Sequence, residues 1–276
     1  MSARDKVRKI SIHAVLVILA LVQGLPLLIV LMNSFRTDEQ IKKMPLALPK
    51  QLFFDNYFET WTRGGYASAY LSNIFIGVFT VIIVCIFTGL AAHATVKLNI
   101  LGRKFFMMYF IFALSIPAFA FIVPEYYILS KLHIAKTLWS LVLIYSATSI
   151  PFNFMLMRAF FIGIPKEIEE SSKVDGCSNL GTIFHITLPL AKPIITTVAL
   201  MVFVYTWNDF LWASTFIQDE NLRTVSVRFY RFVSRFDIKL SNIFTAGVIS
   251  ILPICLLYLI LQKNFIEGMT QGGVKG

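Results

Sequence analysis

The chain alternates long apolar runs with short polar segments, and the runs set its architecture. Ile10 to Met32, Tyr70 to Val96, Phe105 to Val123, Thr137 to Met157 and Ile243 to Gln262 carry no charged residue, and Pro193 to Gln218 has Asp209 as its single charge. About 20 mostly apolar residues cross a hydrocarbon core as a helix. The pattern therefore predicts an all-α polytopic membrane protein with six transmembrane helices, at about 10–32, 70–96, 105–123, 137–157, 193–215 and 243–262. Helices of a soluble bundle would carry polar stripes at 3.6-residue spacing on their outer faces, and such stripes are missing. Residues 1–9 form a basic lead and residues 263–276 a Gly-rich tail. The long first run and its bulky exit, Asn33-Ser34-Phe35-Arg36, argue for a retained helix rather than a cleaved signal.

Composition agrees. Of 276 residues, 57% are apolar and 14% charged. That is about half the charged share of a soluble domain and too little to cover its exterior, so lipid is the main solvent. The net charge of +10 raises nucleic acid as a partner, but the bases lie between apolar runs and form no patch. Lys and Arg divide almost evenly between the two sides. Orientation then rests on Arg4, Lys6, Arg8 and Lys9 ahead of the first run, which favour an inner N-terminus. Three cysteines give no disulfide framework.

Between the fourth and fifth runs lies the most structured polar stretch, residues 164–190. Pro165 suits a first helical position, Glu167 places negative charge in the first turn, and Gly176 ends the run. Ser178 is placed to cap a second helix, with Leu180, Ile183, Phe184, Thr187 and Leu188 at three- and four-residue spacing and Pro189 and Pro193 closing it. Such a unit is either a solvated linker on the membrane surface or a docking helix with an anchor.

Within the membrane, Asp209 falls about 24 Å along a helix from Pro193, near the outer boundary of a core about 30 Å thick. With Trp207 and Trp212 it reads either as an interfacial belt or, with Asn208, as a group facing a central path. Asn73 and Asn153 could line that path or join helices by hydrogen bonds. No phosphate-binding Gly-x4-Gly-Lys-Ser/Thr loop, zinc-protease motif or nucleophile elbow occurs, so an enzyme lacks its constellation. A self-sufficient secondary transporter would favour inverted repeats and midplane charges, and neither is evident.

The stretch Glu170-Ser171-Ser172, three residues, Gly176, nine residues, Ile186, one residue, Leu188-Pro189 resembles the EAA loop of ABC importer permease subunits, with both alanines replaced by serine. Ile164 to Glu170, Val174-Asp175-Gly176, Leu188 to Pro193, Trp207 to Trp212 and the tail from Gln262 to Gly276 are similar to the carbohydrate-uptake branch. The likeness is closest to the maltose-type partner with a Gly-rich tail. The resemblance implies a type I ABC importer permease fold and a non-catalytic subunit. It makes residues 164–190 a cytoplasmic coupling loop in which Glu169, Glu170, Ser171, Ser172, Asp175, Gly176, Ile186, Leu188 and Pro189 meet an ATPase. It adds ATPase contact by Gly272, Gly273 and Lys275 of the tail. It also implies a bacterial plasma-membrane location with both termini cytoplasmic. The partners it implies are a second homologous permease, two ATPase subunits that hold ATP and Mg, and an extracytoplasmic binding lipoprotein. The cargo would be a carbohydrate. The chain itself would bind no cofactor, metal or nucleic acid.

Overall fold

The computed structural model describes residues 3–98, 100–234 and 239–273. The elements are helices: α1 (Ala3–Ser34), α2 (Asp38–Lys43), α3 (Asp55–Gly64), α4 (Tyr66–Lys97), α5 (Arg103–Ser115), α6 (Ile122–Lys131), α7 (Leu138–Gly163), α8 (Lys166–Val174), α9 (Asn179–Thr182), α10 (Leu188–Asn208), α11 (Leu211–Phe216), α12 (Val225–Ser234) and α13 (Leu240–Gly273). No strand occurs among the described residues. Two compact units result, Met1–Ala67 with Arg228–Leu252, and Ser68–Val227 with Pro253–Gly276.

In the first unit, α1 is the span expected at 10–32, lengthened at its start. Thr37 and Gln40 cap α2 reciprocally. Arg36 is buried beside them, donating to Asn33 Oδ1 at 2.8 Å and to the Gln40 carbonyl at 2.7 Å, so its charge is met by acceptors rather than by water. Asp38 accepts from the Ser241 N–H at 3.0 Å and ties the start of α13 to α2.

The second unit has two cores that share α7. Leu141, Ile144 and Tyr145 pack with Ile76, Leu129, Trp212 and Phe216. Further along the helix, Phe154, Met157 and Phe161 pack with Val84, Ala92, Ile194 and Val198. Helix α4 approaches α10 closely at Gly77, where a Cβ would stand 2.7 Å from the Phe203 ring. A small residue at a helix contact is how lipid-embedded helices gain dispersion contact without help from water.

Among the described residues, five helices are long and apolar enough to cross a membrane: Arg8–Ser34, Tyr66–Lys97, Leu138–Gly163, Ile183–Asn208 and Leu240–Lys263. The expected third span at 105–123 is not one helix. Arg103–Ser115 and Ala118–Lys131 meet at 89°, with Ile116 extended at φ −91° and ψ 129°. Pro117 is the cause: it removes an N–H and drives the residue before it out of the helical region. The fifth span also differs from the expected 193–215, beginning ten residues earlier and ending at Asn208. Pro189 and Pro193 do not close the loop helix. A π turn, Ile183–Thr187, widens the backbone, and the Leu188 N–H reaches the Ile183 carbonyl. The extra residue falls where Pro189 has no N–H to give and its ring needs room, so the helix continues through both prolines. Finally, α13 runs to Gly273, through most of the expected 263–276 tail.

Candidate functional site

The loop expected at 164–190 folds as a short helix, a glycine elbow and a second helix. Its stop is a Schellman cap: Gly176 takes φ +89°, and the Cys177 N–H reaches back to the Ser172 carbonyl at 2.9 Å. Ser178 then starts α9, its hydroxyl accepting the Gly181 N–H at 3.1 Å.

Helix α8 has two faces of different chemistry. Glu170, Ser171, Asp175 and Gly176 are exposed, and Val174 is 87% exposed although apolar. Ser172 is buried, and its hydroxyl meets that of Thr182 at 2.9 Å. Two serines thus stand where the EAA pattern has alanines. One remains at the surface, and the other is accepted inside because Thr182 supplies a polar partner.

Glu169 turns inward. Its carboxylate lies 3.7 Å from Lys97 Nζ and 3.7 Å from His93 Nε2, and accepts the Thr187 hydroxyl at 3.3 Å. The Lys97 side chain is 2% exposed and that of Glu169 13%. Lys97 also donates to the Ile164 carbonyl, the C-cap of α7, at 2.8 Å. One inner knot therefore joins four elements: the end of α4, the end of α7, the middle of α8 and the π turn. A buried ammonium is stable only with such partners. Ile186 is half-buried in the π turn, while Leu188 and Pro189 open α10 at the surface.

An outer knot gathers most of the residues expected at the path. Asp209 ends α10 and accepts the Tyr145 hydroxyl at 2.6 Å and the Ala213 N–H at 3.1 Å, capping α11. Its backbone carbonyl accepts the Ser226 hydroxyl. Asn73 is buried, donating to the Trp207 carbonyl at 3.3 Å and accepting the Val225 N–H at 2.8 Å. Trp207 stacks on Phe203 with ring centres 5.6 Å apart. Asn208 is exposed, and among the described residues Asn153 bonds to Ser149 O of its own helix, at 2.8 Å.

Lys97, His93, Thr182 and Tyr145 belong to these knots and are not site residues in the sequence reading, which has Thr187 only as a position on the spaced face of the second loop helix. Of these, only Lys97 had a local signal, a base at the end of an apolar run. Gly272 and Gly273 lie in the last turn of α13, and Lys275 lies outside the described residues. Among the described residues no group of three His, Cys, Asp or Glu side chains is placed to hold a metal ion.

A multi-pass membrane subunit that presents a short docking-type helix between two spans is the architecture of a transport permease. Residues 85–271 match the model of the binding-protein-dependent transport system inner membrane component family, and the chain belongs to that family. It is 32% identical over 251 residues to the probable ABC transporter permease protein YurM of Bacillus subtilis, covering 91% of this chain and 83% of the relative. It is 31% identical over 252 residues to the maltodextrin transport system permease protein MalD of Streptococcus pneumoniae, covering 91% and 90%. A chain of a bacterial ABC transporter involved in the import of the acidic polysaccharide alginate shares the fold, with a TM-score of 0.83 over 96% of this chain and 99% of that one, at 23% identity. The chain is thus an ABC transporter permease subunit.

Proposed function

We propose that this chain forms one half of the translocation path of an ATP-driven bacterial importer for an oligosaccharide or related carbohydrate. In this reading α8 seats in a groove of a separate ATPase subunit, and both termini and the 164–190 loop are cytoplasmic. A second permease, two ATPase subunits carrying ATP and Mg, and an extracytoplasmic binding protein complete the assembly. The carbohydrate assignment draws on the maltodextrin relative.

The observation that carries the reading is the division of α8 into an exposed face and a buried anchor. A helix of nine residues is not stable alone in water. The Glu169–Lys97 contact and the Ser172–Thr182 pair hold it from behind, leaving Glu170, Ser171 and Val174 available to a partner. Because the same knot grips the ends of α4 and α7, displacement of α8 by closing ATPases moves the spans as a rigid body. At the other end, Asn73, Trp207 and Asp209 shape the turn that carries Asn208, and Asn153 stands further along α7. In the tail, Gly272, Gly273 and Lys275 reach the ATPase pair.

Charge reversal at Glu170, on the exposed face, tests the coupling role. Glu170→Lys is expected to lower ATPase recovered with the affinity-purified permease at least five-fold while the permease still inserts in the membrane. Full recovery of the ATPase would refute the docking role of α8.

A further inference from the structure

The loop between α2 and α3 exposes apolar side chains at the end of a span. Met44 is 66% exposed, Leu46 73% and Leu48 75%. From Met44 to Pro49 no side chain is charged or carries a hydroxyl or amide, and a lysine stands on either side, Lys43 and Lys50.

The last turn of α1 holds this loop at both ends. The Pro45 carbonyl accepts Asn33 Nδ2 at 3.1 Å and the Arg36 guanidinium at 3.4 Å, and the Phe53 N–H donates to the Phe35 carbonyl at 3.0 Å. Just beyond, the Phe54 and Tyr57 rings lie 5.3 and 5.0 Å from the Phe35 ring, centre to centre, and the Tyr57 and Ser34 hydroxyls meet at 2.7 Å. Helix α1 is long and apolar enough to cross the membrane as Arg8–Ser34, so its last turn marks the edge of the hydrocarbon core. An aromatic cluster with a polar tip belongs at that level. The loop therefore leaves and returns at the height of the bilayer surface.

Its backbone is suited to an apolar medium. Irregular chain is costly in lipid because its polar groups go unpaired. Pro45 and Pro49 have no N–H to desolvate, and the N–H groups of Met44 and Ala47 reach the Gln40 and Met44 carbonyls at 3.1 and 3.2 Å. The charge is suited to lipid as well. Lys43 and Lys50 are exposed and pair with no acid among the described residues, while Asp38 is already met by Lys42 at 3.3 Å. Basic groups beside a membrane are drawn to anionic headgroups, whereas lysine is depleted at protein interfaces. A docking surface for a soluble protein would centre on Trp, Tyr or Arg, and none lies between Met44 and Pro49.

We propose that residues 43–50 are a membrane anchor: Leu46 and Leu48 enter the headgroup–acyl boundary of an anionic phospholipid leaflet, and Lys43 and Lys50 rest on its phosphates. Asp38 of the adjoining α2 holds the start of α13, so the anchor fixes the ends of α1 and α13 at one height. The anchor needs only that α1 spans the membrane and is independent of the importer reading.

The test uses the full chain in vesicles of phosphatidylcholine and phosphatidylglycerol. Cys85, Cys177 and Cys255 are replaced by serine, and an environment-sensitive fluorophore is attached at Leu48→Cys or, in a second chain, at Leu46→Cys. Both leucines are exposed, so neither exchange removes packing. Lipids with a nitroxide on the acyl chain are expected to quench each probe at least two-fold, and iodide on both sides of the membrane to leave it almost unquenched. Lys43→Glu with Lys50→Glu is expected to lower the nitroxide quenching at least two-fold. Strong quenching by iodide with none by nitroxide overturns the anchor, as does shielding from iodide that appears only when a soluble binding protein is added. Nitroxide quenching unchanged by the charge reversal overturns the role of the lysines.

Discussion

The two polar knots of the second unit solve different problems. The outer one is made of short bonds, mostly to backbone: Asn73 serves two main-chain groups, and Asp209 serves one main-chain N–H and the Tyr145 hydroxyl, at 2.6 to 3.3 Å. The inner one adds longer-range contacts, with Glu169 3.7 Å from both Lys97 and His93, to the bond of Lys97 with the Ile164 carbonyl at 2.8 Å. Directional bonds to backbone fix a turn in one conformation. Charge contacts at 3.7 Å tolerate small shifts of a helix and still restrain it. The outer knot is suited to hold a turn still, and the inner knot to keep α8 attached to the ends of α4 and α7 so that they move together.

This contrast can be broken or sharpened by substitution. The largest effect is expected at Asp209→Ala, which strips acceptors from the buried Tyr145 hydroxyl and the Ala213 N–H. At about 1–3 kcal/mol for each orphaned group, a loss of about 3 kcal/mol is expected, read as a lower thermal unfolding midpoint of the purified chain. Both donors meet the same carboxylate oxygen, so Asp209→Asn, with its amide oxygen in that place, keeps both bonds and should lose only about 1 kcal/mol. Next comes Lys97→Met, which leaves the Glu169 carboxylate facing only His93 and Thr187. The partial exposure of Glu169 reduces the usual cost of an unpaired charge to about 2 kcal/mol, and Lys97→Arg should restore most of it. Hydrogen exchange distinguishes the knots here, since Lys97→Met is expected to speed exchange in α8 while α11 stays protected.

Gly176→Ala should cost about 1 kcal/mol, because the left-handed backbone at φ +89° is strained for any residue with a Cβ. The effect should appear as faster exchange at the end of α8. The smallest change is a paired one. Ser172→Ala alone orphans the Thr182 hydroxyl and should cost about 1 kcal/mol, whereas the double variant with Thr182→Val should lie within about 0.5 kcal/mol of the parent. A double variant as damaged as the single would show that the hydroxyl pair is not what accommodates serine at this position.

Much of this fold is legible in hydropathy, because a helix in lipid must be apolar over a fixed length, and four of the six expected spans follow that rule directly. The two that do not are set by proline, which hydropathy ignores. Pro117 breaks the third apolar run, and Pro189 is absorbed by a π turn that no residue pattern announces. The coupling loop is readable because its signals are local: Pro165, Gly176 and Ser178 lie within fourteen residues of one another. The knots are not local. Lys97 and Glu169 are 72 positions apart, and Tyr145 and Asp209 are 64 apart, so only the packing of α4, α7 and α10 brings them together.

In the proposed importer the exposed face of α8 seats in the ATPase on the cytoplasmic side. A single cysteine at Val174, with Cys85, Cys177 and Cys255 replaced by serine, reports on this contact in the assembled importer. Val174→Cys is expected to crosslink to the ATPase subunit and to stay unlabelled by a membrane-impermeant thiol reagent applied from outside the cell. Labelling from outside, or no crosslink to the ATPase, would contradict it.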